Sequence, residues 1–305
     1  MRRTRKYGDT INVLTFCFRR DIIFVIGRKD LGTEVNHMVE PWRVTVWGVR
    51  GSSPTPSADF LEYGGNTSCF SVSRGESLAV FDAGSGLAAL GSRMMESGGP
   101  DRVDLFLSHL HFDHIQGLLA FRPLFCPGKE IRLYGRRGFA EALRRFLSPP
   151  LWPIGMADFA ARVRLYEIGP GISVPLPGGG TVTAEEGHHP NGCLAYRLDG
   201  GGRSLVYALD CEPDAASVRR LRAFARGASL LIWDASFTED DLRPGWGHST
   251  WRQGATFARA AGVGRVLMAH YAVGYDDAFL QAQESLAHAA SPAVSFAKEG
   301  MVIEL

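Results

Sequence analysis

The stretch Ser108-His109-Leu110-His111-Phe112-Asp113-His114 determines how the rest of the chain is interpreted. It directly follows an apolar run, residues 103–107, which has the pattern of a buried strand. Residues two apart in an extended segment point the same way, so His109 and His111 can converge on one point. Asp113 and His114 are adjacent, so their side chains would point in opposite directions in a strand. A turn is required to bring both towards the same point. Imidazoles and a carboxylate at this spacing predict a site for a divalent cation.

The pattern His109-x-His111-x-Asp113-His114 resembles the signature of the metallo-β-lactamase-fold hydrolases. The resemblance extends from about Val44 to the C-terminus. It implies a four-layer αββα sandwich, in which two mixed β-sheets are flanked by helices. Strand-like and helix-like segments alternate in each half of the chain, as a sheet covered by helices requires.

Further histidines and aspartates follow apolar, strand-like segments, a position that active-site residues commonly occupy. The resemblance implies ligands for two divalent cations, which the sequence supplies in the expected order: His109, His111 and His189 for one, Asp113, His114 and His270 for the other, with Asp210 as a bridge. At the pair His188-His189 we favour the second histidine, because a His-Pro-x-Gly segment follows the family pattern, and we expect the first at the rim. The expected cations are zinc or manganese, and the same ligands also suit iron. Two such cations can lower the pKa of a shared water and generate a hydroxide at neutral pH.

The segment Gly247-His248-Ser249-Thr250 is similar to the His-Ser-Thr element of ribonuclease Z and related phosphodiesterases. The resemblance implies that His248 is the general acid that protonates the leaving alkoxide and that Asp234 orients its imidazole. Asp113 is expected to act in catalysis as well as in metal binding. The alternative for His248 is a solvent-exposed histidine or a neighbour of a helix cap.

Four stretches narrow the resemblance to small bacterial enzymes that cleave cyclic phosphodiesters, including phosphoribosyl 1,2-cyclic phosphate and cyclic nucleotides. Two of these stretches contain Arg50 and Asn66, which are expected to contact the phosphate or ribose of the substrate. Turn structure alone would explain the glycines around them. The resemblance implies that Asp82 supports the metal-binding loop from behind. A role for Asp82 as a turn residue that caps the next helix is equally consistent with the sequence. The four matching stretches are residues 47–52, 63–68, 114–117 and 245–250.

The composition is ordinary for a soluble globular protein. Hydrophobic residues make up 45% and charged residues 21% of the 305 residues, and the formal net charge is +1. Such a charge exerts no long-range attraction on nucleic acid or an anionic membrane, and arginine pairs such as Arg136-Arg137 are expected to be solvated helix faces. Five scattered cysteines without a C-x-x-C pair are typical of a reducing cytoplasm. We therefore expect a cytoplasmic protein whose partner is a small anionic phosphodiester, and the sequence leaves a homodimer open.

Residues 1–40 differ from the rest of the chain. The segment begins with a basic stretch and contains two apolar runs, residues 11–18 and 22–26, which are too short to span a bilayer. We expect this N-terminal extension to be a poorly ordered tail, or to lie upstream of a true start near Met38. Residues 41–305 are expected to form one hydrolase domain.

The expected activity is that of a dinuclear metal-dependent phosphodiesterase, of the EC 3.1.4 type. One alternative is a ribonuclease Z-like RNA endonuclease, which is disfavoured by the neutral charge and by the lack of a long, basic, Gly-rich insertion between the motifs. A second is hydrolysis of an ester, thioester or lactam, which makes less demand for a dedicated acid. A third, a non-catalytic scaffold, is disfavoured by the complete set of ligands.

Overall fold

Two β-sheets dominate the computed structural model, which describes residues 40–214 and 217–305. The strands are β1 (Arg43–Gly48), β2 (Cys69–Arg74), β3 (Ser77–Phe81), β4 (Arg102–Phe106), β5 (Glu130–Gly135), β6 (Arg162–Glu167), β7 (Ser173–Pro175), β8 (Thr181–Gly187), β9 (Cys193–Gly200), β10 (Arg203–Ala208), β11 (Leu230–Asp234), β12 (Arg265–Ala269), β13 (Val294–Phe296) and β14 (Val302–Glu304). Seven of them form a first sheet in the order β14-β1-β2-β3-β4-β5-β6, and seven form a second in the order β13-β12-β11-β10-β9-β8-β7.

Helices cover the outer face of each sheet. They are α1 (Leu87–Ser97), α2 (Phe139–Phe146), α3 (Ser217–Phe224), α4 (Trp251–Ala261) and α5 (Asp277–Ala290). The first two pack on the first sheet and the other three on the second. Between the sheets lies an aromatic core, in which Phe81 stacks on Tyr207 and Phe106 contacts Tyr196. This arrangement confirms the four-layer αββα sandwich predicted from the sequence.

The centre of each sheet is parallel. Strand β4 lies between β3 and β5, and β11 lies between β10 and β12, with every one of these pairings parallel. All residues of β3 and β11 are buried, as expected of strands covered on both faces. Because the carboxyl ends of parallel strands meet at one edge of a sheet, the polar segments that follow these strands are brought together there.

The last two strands belong to different sheets. Strand β13 joins β12 in the second sheet, and β14 joins β1 in the first. Local patterns reveal strands but not their partners, and this segment passes from one layer to the other. Thr250 caps α4, since its Oγ1 accepts a hydrogen bond from Gln253 N at 3.2 Å.

The predicted extension, residues 1–40, lies outside the described residues except for Glu40. Within the described ranges, every helix is too short or too polar to cross a membrane.

Candidate metal centre

A first group of ligand atoms gathers beyond the ends of β4, β8 and β10. It comprises His109, His111, His189 and Asp210, whose ligand atoms all lie within 4.8 Å of one another. Nε2 of His189 lies 3.2 Å from Nδ1 of His111, and Nε2 of His109 lies 3.4 Å from Oδ2 of Asp210. Ligands held about 2.0–2.2 Å from one tetrahedral cation have similar separations. His188, by contrast, is exposed and its Nδ1 bonds to Asp214, so the structure brings His189 and not His188 into the group.

A second group adjoins the first. Asp113, His114 and His270 have ligand atoms within 4.8 Å of one another, and Nε2 of His114 lies 3.2 Å from Nε2 of His270. Asp210 lies between the groups, because its Oδ2 is 3.1 Å from His114 Nε2 and its Oδ1 is 2.9 Å from His270 Nε2. The seven residues predicted as metal ligands therefore share one site.

One ligand atom lacks the hydrogen bond that a buried polar atom normally makes. Nε2 of His109 is buried and has no hydrogen-bond partner among the described residues. Such atoms carry a desolvation cost unless another species satisfies them. Imidazole nitrogens and carboxylate oxygens are the donors that zinc and manganese accept, so the residues present fit divalent cations.

Burial favours the neutral form of the histidines in the first group. It lowers the pKa of His109 well below the usual value and also lowers the pKa of His111 and of His189. A neutral imidazole has a free lone pair, which is the form that binds a metal ion.

Carboxylates dominate the electrostatics of the second group. Burial alone would lower the pKa of His270, but Asp210 and Asp113 raise it to about 10. The pKa of His114 is likewise well above its usual value, because the same carboxylates outweigh burial. Burial alone would raise the pKa of both aspartates, but the neighbouring histidines lower it. The negative potential that favours a proton on these rings would equally favour a bound cation.

Three residues of the site have left-handed backbone conformations, with φ of 59° at Asp82, 53° at Asp210 and 64° at His270. Each follows the end of a central parallel strand, where the chain must turn sharply to direct a side chain into the site. Such conformations cost roughly 1–3 kcal/mol in non-glycine residues and are concentrated at functional sites.

Asp82 supports the site from behind. Its Oδ2 lies 2.7 Å from Nδ1 of His114 and accepts a hydrogen bond from Tyr207 Oη, also at 2.7 Å. Its Oδ1 accepts from the Ser108 amide at 2.7 Å. The carboxylate is fully buried, and its contact with Nδ1 leaves Nε2 of His114 directed at the centre. This position suits the supporting role expected from the sequence.

We expect Asp82→Asn to weaken metal binding about 10- to 100-fold, because an amide cannot orient and polarise the His114 ring as a carboxylate does. Asparagine tolerates the left-handed backbone, so the substitution tests the charge and not the fold. Affinity is measured by competition with a chromophoric chelator. Asp104→Asn is the matched control, since Asp104 is buried but pairs with Arg102 and Tyr134 instead. Equal affinities in the two variants would contradict the supporting role.

Asp234 orients a histidine at the same edge. Nδ1 of His248 lies 2.8 Å from Oδ2 of Asp234, which is fully buried. The other oxygen of Asp234 accepts hydrogen bonds from the amides of Ser236 and Ser249, both at 3.0 Å. Its Oδ2 also accepts from the Asp210 amide at 3.2 Å. One carboxylate therefore holds the imidazole and the backbone of the bridging aspartate.

The His248 ring lies against both groups of ligands. Its centroid is 5.2 Å from that of His270 and 5.1 Å from that of His189. Burial alone would lower the pKa of His248, but Asp234 raises it above the usual value. The Nδ1 contact with Asp234 leaves Nε2 as the nitrogen available to a substrate.

Two serines act on the site in ways that the sequence did not reveal. Ser236 Oγ lies 2.8 Å from Nδ1 of His270, and the Ser52 amide donates to Oδ2 of Asp113 at 2.7 Å. Ser52 belongs to one of the turn stretches that carried the resemblance. Nothing local shows that its amide reaches a residue 61 positions away.

Arg50 and Asn66, predicted to bind substrate, are not brought into the site. The Arg50 side chain is fully buried, and its guanidinium donates to the carbonyl oxygens of Gly64 and Tyr275 at 2.7 and 2.5 Å. The Asn66 amide donates to Glu299 at 2.9 Å. Both side chains are committed to holding turns together, so the structure favours a structural role for them.

A cavity of about 400 Å³ opens beside the first group of ligands. His109 and His111 line it together with Arg136 and Arg137. The arginines lie in the turn before α2, so they are not on the helix face that the sequence suggested. Arg136 donates to the carbonyl oxygen of Asn191 at 2.5 Å, whereas Arg137 is exposed and has no polar partner within the described ranges.

Known proteins resemble this chain in sequence and in fold. Ribonuclease BN of Escherichia coli (strain K12) is 27% identical over 250 residues, which are 66% of this chain and 80% of that protein. The metallo-β-lactamase fold protein YhfI from Bacillus subtilis superimposes with a TM-score of 0.67 at 24% identity, over 87% of this chain and 100% of that one. A diphosphatase of the PhnP family superimposes with a TM-score of 0.64 at 19% identity, over 87% and 98% of the two chains.

The family model of the β-lactamase superfamily domain matches residues 79–271. This span is more than half of the chain and contains the ligand groups, Asp82, Asp234 and His248. With the αββα sandwich and the gathered histidines and aspartates, the match establishes that the chain belongs to the β-lactamase superfamily and is an enzyme of its metallo-hydrolase type.

Proposed function

We propose that this enzyme is a phosphodiesterase that binds two divalent cations and cleaves a small phosphodiester. His109, His111 and His189 would hold one cation, Asp113, His114 and His270 the other, and Asp210 would bridge them. When bound, such cations activate a water molecule and neutralise the charge that develops on a phosphoryl group.

The pair formed by Asp234 and His248 carries this proposal. The alkoxide that leaves a phosphodiester is a poor leaving group and needs a proton. Held by Asp234 at 2.8 Å, His248 presents its other nitrogen at the edge of the ligand groups, where it can donate that proton. Hydrolysis of a lactam or thioester makes less demand for such an acid.

The cavity beside the ligands supports an anionic substrate. Arg137 has no polar partner in the part of the chain that the structure describes, and its guanidinium is suited to a phosphate oxygen. Arg136 fastens Asn191 and so positions the loop that carries His189.

We expect Arg137→Ala to raise the KM for a phosphodiester about 10-fold and to change kcat much less. A charged hydrogen bond would be lost, but its strength is reduced by exposure to solvent. Steady-state kinetics at low and high salt provide the measurement. Arg145→Ala serves as the control, because Arg145 lies on the exposed side of α2, paired with Glu141. An unchanged KM would remove Arg137 from substrate binding.

An RNA substrate is the second candidate, because ribonuclease BN is a relative in sequence. RNA cleavage would use the same ligands and the same acid, and the two candidates differ in how the substrate is gripped. The formal net charge of +1 offers little of the electrostatic attraction that dominates binding to nucleic acid.

Turnover with a panel of substrates tests the proposal. The protein is reconstituted with Zn²⁺ or Mn²⁺ and assayed with bis(p-nitrophenyl) phosphate, 2′,3′- and 3′,5′-cyclic nucleotides, a precursor tRNA, a β-lactam and a thioester. We expect metal-dependent cleavage of the small diesters. Preference for the tRNA would favour the second candidate, and cleavage of the lactam or thioester alone by the metal-loaded protein would refute the phosphodiesterase assignment.

A further inference from the structure

An exposed tryptophan stands two residues before the proposed acid. Trp246 is 58% exposed, although indole rings are normally much more buried. The guanidinium of Arg243 lies over it, 5.1 Å from the ring centroid, and the Trp246 amide donates to the Arg243 carbonyl at 3.2 Å. These two residues are called the Trp246 platform below.

The backbone that carries the ring is held on both sides. Gly245 and Gly247 each have φ of 83°, a conformation that side chains rarely adopt. Both of their amides donate to the carboxylate of Glu212, at 2.9 and 3.0 Å. Glu212 follows Asp210 by two residues, so the loop is fastened directly to the chain beside the bridging aspartate.

The same loop contacts the first group of ligands. Gly247 O lies 3.0 Å from Nδ1 of His189, and a Cβ at Gly247 would come within 2.1 Å of that nitrogen. The loop therefore touches a proposed metal ligand on one side and continues into His248 on the other. A backbone fixed in this way holds the exposed ring in one position, as a binding site requires.

We propose that the Trp246 platform stacks on a nucleobase, so that the enzyme selects nucleoside phosphodiesters over base-free sugar cyclic phosphates. This inference rests on the proposed function. If His248 protonates the leaving group, that group lies beside His248 and therefore on the side of the site where the platform stands. Every base presents a π-face to an aromatic ring, and a guanidinium adds cation–π attraction. A base-free substrate would leave the ring without a partner.

The first test compares two substrates in one variant. Trp246→Ala should lower the kcat/KM for a 2′,3′-cyclic nucleotide, relative to that for ribose 2,3-cyclic phosphate, by about 5- to 150-fold. The loss should appear mainly in KM, and Trp246→Phe should recover most of it. Ile172→Ala, at another exposed apolar residue, should leave the ratio unchanged. An equal loss on both substrates, or none, would overturn the inference.

Binding is measured separately from turnover. Calorimetry should show that adenosine 2′-monophosphate binds the wild-type protein more tightly than ribose phosphate does, and that Trp246→Ala removes the difference. Base-dependent binding without diester cleavage would reject the proposed function but retain the platform. Cleavage without base-dependent binding would retain the function and reject the platform, as would a change of oligomeric state in Trp246→Ala with base preference intact.

Discussion

Asp210→Asn should lower the turnover of any phosphodiester by more than about 10²-fold, since the loss of a bridging ligand should exceed the 10- to 100-fold cost of losing an outer partner. Asp210 lies between the two ligand groups, with oxygens 3.1 Å from His114 Nε2 and 2.9 Å from His270 Nε2. An amide cannot replace a charged carboxylate between two cations. Asparagine is preferred to alanine here because Asp210 has φ of 53°, which asparagine tolerates.

Metal content and activity are measured together in this variant. Elemental analysis should find less than two metal ions per chain in Asp210→Asn, while circular dichroism shows the fold retained. Asp101→Ala is the control, because Asp101 is exposed, pairs with Lys129 and precedes β4, whose opposite end leads to His109. Two bound ions together with wild-type turnover would refute the bridging role.

His248→Ala should retain both metal ions and the fold but lose about 10²- to 10⁴-fold in turnover of diesters with poor leaving groups. The p-nitrophenolate leaving group of bis(p-nitrophenyl) phosphate needs little protonation, so its cleavage should suffer much less. The acid is tested at His248 because Asp234 also holds Asp210 and Ser249, and its loss would disturb several contacts at once.

His288→Ala is the matched control for this variant, since His288 is exposed in the last turn of α5. It should leave both rates unchanged. If His248→Ala reduced the two rates equally, His248 would position the substrate or the metal and would not act as the acid.

Much of the site could be predicted because its chemistry is concentrated in short motifs. The spacing of His109, His111, Asp113 and His114 is itself a signature of metal binding, and the resemblance supplied the remaining ligands. Periodicity located the strands, and polar residues at their ends pointed to one edge of the sheets. The four-layer αββα sandwich was implied by the family resemblance and is confirmed.

The contacts that fail prediction join residues far apart in the chain. Arg50 was expected at the substrate, yet its guanidinium bonds to Tyr275 across 225 positions. Arg136 and Arg137 looked like a helix face, but the turn before α2 directs them to the cavity beside His109. Side-chain direction depends on the partners that folding brings near, and local pattern does not contain that information.

The sequence by itself determined which residue types are available for metal binding and acid catalysis, and the strand and helix pattern that carries them. The tertiary structure alone decided that the Ser52 amide reaches Asp113 and that Ser236 contacts His270. It also directed the Arg50 side chain away from the site and towards Tyr275. The physical reason is that hydrophobic periodicity and ligand spacing are local properties, whereas burial, hydrogen bonding and distance arise only when separate strands pack against one another.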